Sequence, residues 1–315
     1  MSDGRTRRQF IQRAVSGATG FAALEAIGHG SQQAGTAAKT SDAAAAAPDS
    51  GRRFEVPIRY IPHTVNYEDE FSETEFRPLE RRAEFDPRLS ALVILDVWSW
   101  HFMPSLRERM DKITRERIKP VAEACRKAGL LVVHTPSPPV AKKYPQHRFW
   151  PPAEWKRGPL YSPPGEYGNW PLPEMGRRSG RFRQYSQSSN PEAPRLTEEQ
   201  LYRRYNIHPA VGPAPGDFVA ATREELHALL AKEKRFHLFY VGFVTNGCIL
   251  ERDYGTRAMS YLGYQIILLR DCTTALETSE TLATFEQTTA SVHNLEFWFA
   301  TSSSGVLLEG LNKLG

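Results

Sequence analysis

Short, almost uninterrupted apolar runs recur from residue 91 onward. Each is followed, after a small-residue or polar turn, by a longer stretch in which apolar positions fall every three or four residues. The runs Ala91 to Val97, Leu130 to His134, Phe218 to Ala220, His237 to Val241, Gln265 to Leu269 and Gly305 to Leu308 are too short for independent helices and too uniformly apolar for strands with one wet face. They predict strands buried on both faces. Between them Ser105 to Ala128, with Leu106, Met110, Ile113, Ile118, Val121 and Ala122 at helical spacing, Thr222 to Lys234, Cys248 to Leu262 and Ser279 to Phe299 predict helices. Gly129 and Gly263 stand as stops behind two of them, because glycine accepts the left-handed backbone that ends a helix. Strand alternating with helix predicts an α/β fold built on a mostly parallel sheet with right-handed crossovers.

Two regions break this rhythm. Residues 136–215 show no sustained period, and Pro136 to Pro173 holds 11 of the 23 prolines together with Trp150, Trp155 and Trp170. A structureless loop of that length is uncommon unless it works, and its aromatics predict an ordered excursion over one end of the sheet, either a pocket wall or a partner-binding flap. The arm 51–90, with Arg53 to Phe85 ahead of the first strand, predicts a segment packed on the outside. The first fifty residues read as an address. Thr6-Arg7-Arg8-Gln9-Phe10-Ile11 followed by the small, weakly apolar stretch Ala14 to Gly30 is the pattern of a twin-arginine export signal, which predicts a periplasmic or extracellular destination. The run Ser31 to Ser50 lacks the large apolar residues that offset ordering entropy and predicts a disordered spacer. The rest, 51–315, then forms a single domain.

Composition narrows the function. A chain of 315 residues that is 40% hydrophobic and 24% charged is an ordinary globular protein, which excludes collagen, coiled coil and wholesale disorder. The net charge of +4 is too small to argue for nucleic acid, and apart from the N-terminal signal no apolar run is long enough for a membrane span. Three cysteines, Cys125, Cys248 and Cys272, cannot form a disulfide framework and are not spaced as a metal knuckle. His101, His134, His147 and His208 are scattered without ligand spacing, so neither metal nor other cofactor is expected. Phosphate-binding, nucleophile-elbow and dinucleotide motifs are missing as well.

What remains is one cysteine in a telling place. In Leu238-Phe239-Tyr240-Val241-Gly242-Phe243-Val244-Thr245-Asn246-Gly247-Cys248 a buried strand runs into a small-residue turn, and Cys248 opens the next helix. Unpaired backbone amides there favour an anion, and thiolate is the nucleophilic form of cysteine. The first strand, Leu92-Val93-Ile94-Leu95-Asp96, ends in a carboxylate at the same edge, where it can take the thiol proton or cap a loop. Trp98, His101, His134, Phe243 and Thr245 stand at strand ends where they either line a pocket or pack the core. Cys125, inside a helix, and Cys272, after Asp271, read as structural.

These residues resemble the isochorismatase-like cysteine hydrolase family. The likeness rests on the apolar strand ending in Asp96, on Gly242 to Cys248, and on Gly263-Tyr264 with the strand ending in Asp271. It spans Ala91 to Leu308 apart from the long insertion. It implies a three-layer α/β/α fold with a six-stranded, mostly parallel sheet and an Asp-Lys-Cys triad acting on an amide or carbamoyl-type C–N bond of a small molecule. By the same likeness Cys248 is the nucleophile and Asp96 the acid/base. A cis peptide between Phe243 and Val244 aims the amides of Val244 and Cys248 at an oxyanion, and the protein is a homo-oligomer. The triad lysine is missing, since Phe218-Val219-Ala220-Ala221 runs directly into Thr222-Arg223. Arg223, or Lys142, Lys143, Arg203 or Arg204 from the insertion, is a candidate to replace it. Without such a cation the alternative is an impaired member that serves as a binding or assembly protein.

Overall fold

Five of the six apolar runs pair as the sequence pattern requires, in a computed structural model that describes residues 51–62, 72–148, 180–185 and 197–314. The export segment and spacer within 1–50, and Trp150, Trp155 and Trp170, lie outside the described residues. Strands β1 (Phe54–Tyr60), β2 (Leu79–Phe85), β3 (Ser90–Leu95), β4 (Leu131–Thr135), β5 (Phe218–Val219), β6 (His237–Gly242), β7 (Gln265–Leu269) and β8 (Ala300–Ser302) form one sheet of eight in the order β2-β1-β8-β7-β6-β3-β4-β5. The six from β3 to β8 are mutually parallel. The chain winds outward from β3 through β4 to β5, then restarts beside β3 with β6. The carboxyl ends of β3 and β6 therefore diverge around a crevice, the place where such sheets collect ligands.

Every residue of β3 is buried because helices cover both faces. Leu92 and Ile94 pack with Val121, Ala122, Cys125, Leu307 and Leu311 on one side. Ala91, Val93 and Leu95 pack with Leu226, Leu229, Leu230, Met259 and Leu295 on the other. Each large apolar side chain so buried contributes about 1.5–3 kcal/mol, and the result is the expected three-layer α/β/α arrangement.

Three departures from the pattern have physical causes. The helix expected over Ser105 to Ala128 runs as Pro104–Ile113 and Lys119–Ala128 joined by a widened π turn, Thr114–Ile118. Pro120 has no amide for the carbonyl four residues back and its ring crowds that carbonyl, and the widened turn just before it makes room. The strand expected at Gly305 to Leu308 is a correction: those residues lie in the helix Ser304–Asn312, while the last strand is Ala300–Ser302. A short apolar run does not distinguish strand from helix, and Leu307 and Leu311, one helical turn apart, are the buried pair. The arm is no external appendage. β1 and β2 form an antiparallel hairpin that extends the sheet past β8 through Arg59 and Thr301, raising six strands to eight. β1 alternates, with Phe54, Val56 and Ile58 inward, whereas β2 shows its charged residues Glu80, Arg81, Arg82 and Glu84 to solvent.

Candidate active site

The crevice is lined by two strand ends held at close quarters. Gly242, at the end of β6, has φ +125° and passes so near β3 that a Cβ there would lie 1.8 Å from the Leu95 carbonyl oxygen. Only glycine fits. The next peptide, Phe243-Val244, is cis. The turn that follows is tied to the loop after β7: the Thr245 amide donates to the Thr274 carbonyl at 3.0 Å, and the Asn246 side chain exchanges hydrogen bonds with the Leu276 backbone at 3.0 and 2.9 Å. The Val244 carbonyl accepts the amides of Gly247 and Ile249 at 3.1 Å each, which bracket the amide of Cys248.

Cys248 is half-buried, whereas Cys125 and Cys272 are sealed in the core. Its helix is short. Instead of continuing to Leu262 it stops at Glu251, and a second helix, Thr256–Tyr261, takes over after a break. The break has a local cause. Gly255 lies against the chain before it, where a Cβ would meet the Ile249 carbonyl oxygen at 2.8 Å, and the Thr256 hydroxyl donates to that same carbonyl at 3.1 Å. Arg252, at the break, takes extended backbone angles (φ −61°, ψ 149°).

The turn brings the Arg252 guanidinium to Asp96. Its Nε donates to Asp96 Oδ2 at 2.8 Å, and a terminal nitrogen donates to Ser137 Oγ at 2.6 Å. The Ser137 hydroxyl in turn points to Asp96 Oδ1 at 3.4 Å. Asp96 is fully buried, in the left-handed conformation (φ +49°) that aspartate tolerates better than most residues. Its amide donates to the Thr135 carbonyl at 3.2 Å. The Cys248 thiol and the Ser137 amide also donate to its carboxylate.

Charge and burial set the resting protonation. Burial raises the Asp96 carboxyl, and Arg252 with the donated hydrogen bonds draws it part of the way back. Burial and the Asp96 charge push the Cys248 thiol up to about 12, against the pull of Arg252 and of the Val244 amide, which donates to the sulfur. Burial alone would lower Arg252, but Asp96 outweighs it and holds the guanidinium well above its ordinary range. The site at rest is thus a neutral thiol donating to a carboxylate paired with a fixed cation. The helix-start argument favoured a resting thiolate, yet a four-residue helix has little dipole and the neighbouring carboxylate opposes a second negative charge.

The other sequence candidates divide. Trp98 forms an antiparallel bridge with Ile207 and stacks on His101; the Ser99 and His208 amides close the same junction at 2.8 Å each. This lays residues 202–208 of the insertion over the loop after Asp96. Tyr205 sits edge-on to Trp98 and Trp100, close enough that Asp96 and Cys248 add to the burial that lifts its phenol to about 12. His134 belongs elsewhere, bonded to Asp217 at 3.0 Å beside Arg126. Phe243 and Thr245 are wholly buried. Of the proposed cations, Arg223 pairs with Glu224 at 3.0 Å, Arg204 lies over the Trp100 ring, and Lys143 donates to the Tyr205 carbonyl at 2.6 Å, fastening the insertion. Lys142 is exposed and Arg203 offers its carbonyl to Lys143. The cation at Asp96 is Arg252 instead. Sequence reasoning passed over it by searching after β5, although a basic residue four positions past the cysteine was a visible signal. Ser137 and Tyr205 carried none.

Among the described residues no three His, Cys, Asp or Glu side chains gather as a metal site. A surface cavity of about 470 Å³ lined by Tyr60, Arg81, Tyr264 and Trp298 opens at the amino end of β7 and includes none of the residues above.

Comparison with known proteins adds the following. A family model described as the Isochorismatase domain matches residues 90–296. A cysteine hydrolase from Pseudomonas syringae pv. phaseolicola 1448A is 13% identical, with 73% of this chain and 96% of that chain covered and a TM-score of 0.48. An isochorismatase family protein from Desulfovibrio vulgaris subsp. vulgaris str. Hildenborough is 14% identical, covering 71% and 99%, at a TM-score of 0.42. N-carbamoylsarcosine amidase from Thermoplasma acidophilum is 16% identical, covering 68% and 96%, at a TM-score of 0.37. No curated protein matches.

Proposed function

Since the chain belongs to the isochorismatase family, we propose that it is a cysteine hydrolase that cleaves an amide or carbamoyl-type C–N bond of a small molecule. The observation that carries this reading is the contact of the Cys248 thiol with a buried carboxylate that is itself paired with Arg252. Proton transfer from Cys248 to Asp96 creates the thiolate beside the guanidinium, so the cation that balanced the carboxylate now balances the sulfur. Arginine does not deprotonate in proteins; it serves as a fixed charge and never as the acid.

The thiolate adds to the substrate carbon, and the amides of Val244 and Cys248 take the developing oxyanion, each donor being worth about 2.7–4 kcal/mol in the transition state. Protonated Asp96 returns its proton to the departing nitrogen. The C–N bond breaks and a thioester remains on Cys248. Asp96, again a carboxylate, accepts a proton from water as the water adds to the thioester, and the thiol regains that proton on leaving. The aromatic rings of Trp98, Trp100 and Tyr205 above the site suit a small planar substrate. Arg252 supports this reading over the alternative of an impaired, purely binding protein, whose ground was the lack of a cation after β5.

The test is turnover of a panel of N-carbamoyl amino acids and aromatic amides, followed by ammonia or amine release and by intact-mass detection of an acyl adduct. Release that disappears in Cys248→Ala, with the adduct mapped to Cys248, is expected. Release undiminished in Cys248→Ala would refute the mechanism.

A further inference from the structure

Ser137 opens the short helix Pro138–Ala141, and the residues after it leave its hydroxyl no amide of that helix to cap. A serine in this place ordinarily accepts a hydrogen bond from the second or third helical amide. Here the second position is Pro139, which has no amide, and the third amide, that of Val140, already donates to the Ser137 carbonyl at 2.8 Å. The side chain caps nothing. It is wholly buried, on a backbone that the following proline keeps extended (φ −52°, ψ 145°). Both of its bonds go to the candidate site instead. Oγ accepts from a terminal nitrogen of Arg252 at 2.6 Å and donates to Asp96 Oδ1 at 3.4 Å. With Arg252 Nε on Asp96 Oδ2 at 2.8 Å, the three side chains close a ring.

The two contacts that hold Arg252 respond differently to the reaction. Its bond to Asp96 is an ion pair, which weakens once the carboxylate takes up the Cys248 proton. Its bond to Ser137 joins a cation to a neutral hydroxyl and does not depend on the charge of Asp96. Since 26% of the Arg252 side chain is open to solvent, a guanidinium released by Asp96 has water to turn to. We propose that Ser137 is a positioning residue that keeps the Arg252 guanidinium at the Asp96–Cys248 pair while Asp96 is protonated, so that the cation is in place when the sulfur becomes negative. The inference rests on the catalytic reading of Cys248 and Asp96. Losing the hydroxyl should disfavour the form in which the S–H bond has broken and the carboxylic O–H bond has formed, more than the resting thiol and carboxylate.

The experiment is the rate of iodoacetamide alkylation at Cys248 at neutral pH, read by peptide mass, with thermal melting of every variant. Ser137→Ala deletes the hydroxyl and keeps the backbone. It is expected to slow alkylation about tenfold, the equal of one hydrogen bond to a charged group, and Ser137→Thr, which restores the hydroxyl, should bring the rate back. On an Arg252→Met background Ser137→Ala should change the rate less than about twofold, because no guanidinium is left to hold. Alkylation of Ser137→Ala at the native rate would overturn the proposal. So would a tenfold loss that persists on Arg252→Met, or a Ser137→Thr protein that melts like the native one yet reacts as slowly as Ser137→Ala. Should threonine lower the melting temperature, the Arg252→Met comparison decides; should Arg252→Met not fold, threonine decides. Asp96→Asn alkylated at the native rate would instead bring down the catalytic reading itself.

Discussion

Replacing Arg252 by methionine isolates the contribution of the buried ion pair. Methionine keeps most of the apolar stem of the side chain but removes the charge and the donors at 2.8 and 2.6 Å to Asp96 and Ser137. The carboxylate is then left fully buried without its counter-ion. Breaking a buried pair from one side costs roughly 3–5 kcal/mol. Because 26% of the Arg252 side chain is open to solvent, water can enter the gap, and a loss near the lower limit, about 3 kcal/mol, is expected at neutral pH.

The loss should depend on pH. The native Asp96 carboxyl lies above its unfolded value because burial outweighs Arg252, so Asp96 contributes stability at low pH that is lost as pH rises through its folded pKa. Without Arg252 that folded pKa climbs further. The gap in stability between Arg252→Met and the native protein should therefore be small at acid pH. It should widen as pH passes the native Asp96 pKa, and level off above the higher pKa of the variant. Urea denaturation midpoints collected from pH 4 to 8, converted with a common slope, read this directly. Asp96→Asn placed on top of Arg252→Met should recover most of the loss, since it removes the stranded charge. A penalty that is flat with pH, or one that the added Asn does not relieve, would refute the account.

Two further perturbations test other parts of the frame. Asp217 is held down to about 2 because bonds from His134, Arg126 and the Ala214 amide outweigh its burial. It thus contributes stability above its unfolded pKa of about 4 that fades as pH falls toward 2, and Asp217→Asn should cost about 2–3 kcal/mol at pH 7 and progressively less in acid, as read by urea midpoints. Gly242→Ala would drive a methyl group to 1.8 Å from the Leu95 carbonyl oxygen and should fail to give soluble folded protein, or melt more than 10 °C lower by circular dichroism; a native melting curve would show that β3 and β6 are not so close.

The legible part of the molecule was the part written in apolar runs. Val93 and Tyr240 lie in runs that bury on both faces, and such runs announce a covered parallel sheet whatever the loops do. Asp96 and Cys248 were legible because they terminate those runs, so the sheet alone brings them to one crevice. Ala300–Ser302 was not, because a strand of alanine, threonine and serine has no hydrophobic signature and owes its place to neighbours on either side. Arg252 left a trace, a basic residue four positions past the cysteine, but on an unbroken helix from Cys248 to Leu262 its side chain would project beside the cysteine without turning toward β3. The interruption depends on contacts of Gly255 and Thr256 with Ile249, which periodicity does not register. Tyr205 lies in a segment without period and is held by Lys143 reaching across more than sixty positions, a long-range tie that no local pattern encodes.

The two margins of the sheet bear on self-association. On one flank β2 turns Glu80, Arg81, Arg82 and Glu84 outward, and on the other β5 offers only two residues of backbone. Neither flank is a good template for a further ribbon, whether from a sister chain or a misfolded one. Any contact between copies would therefore be expected to fall on helical and loop surfaces rather than to extend the sheet.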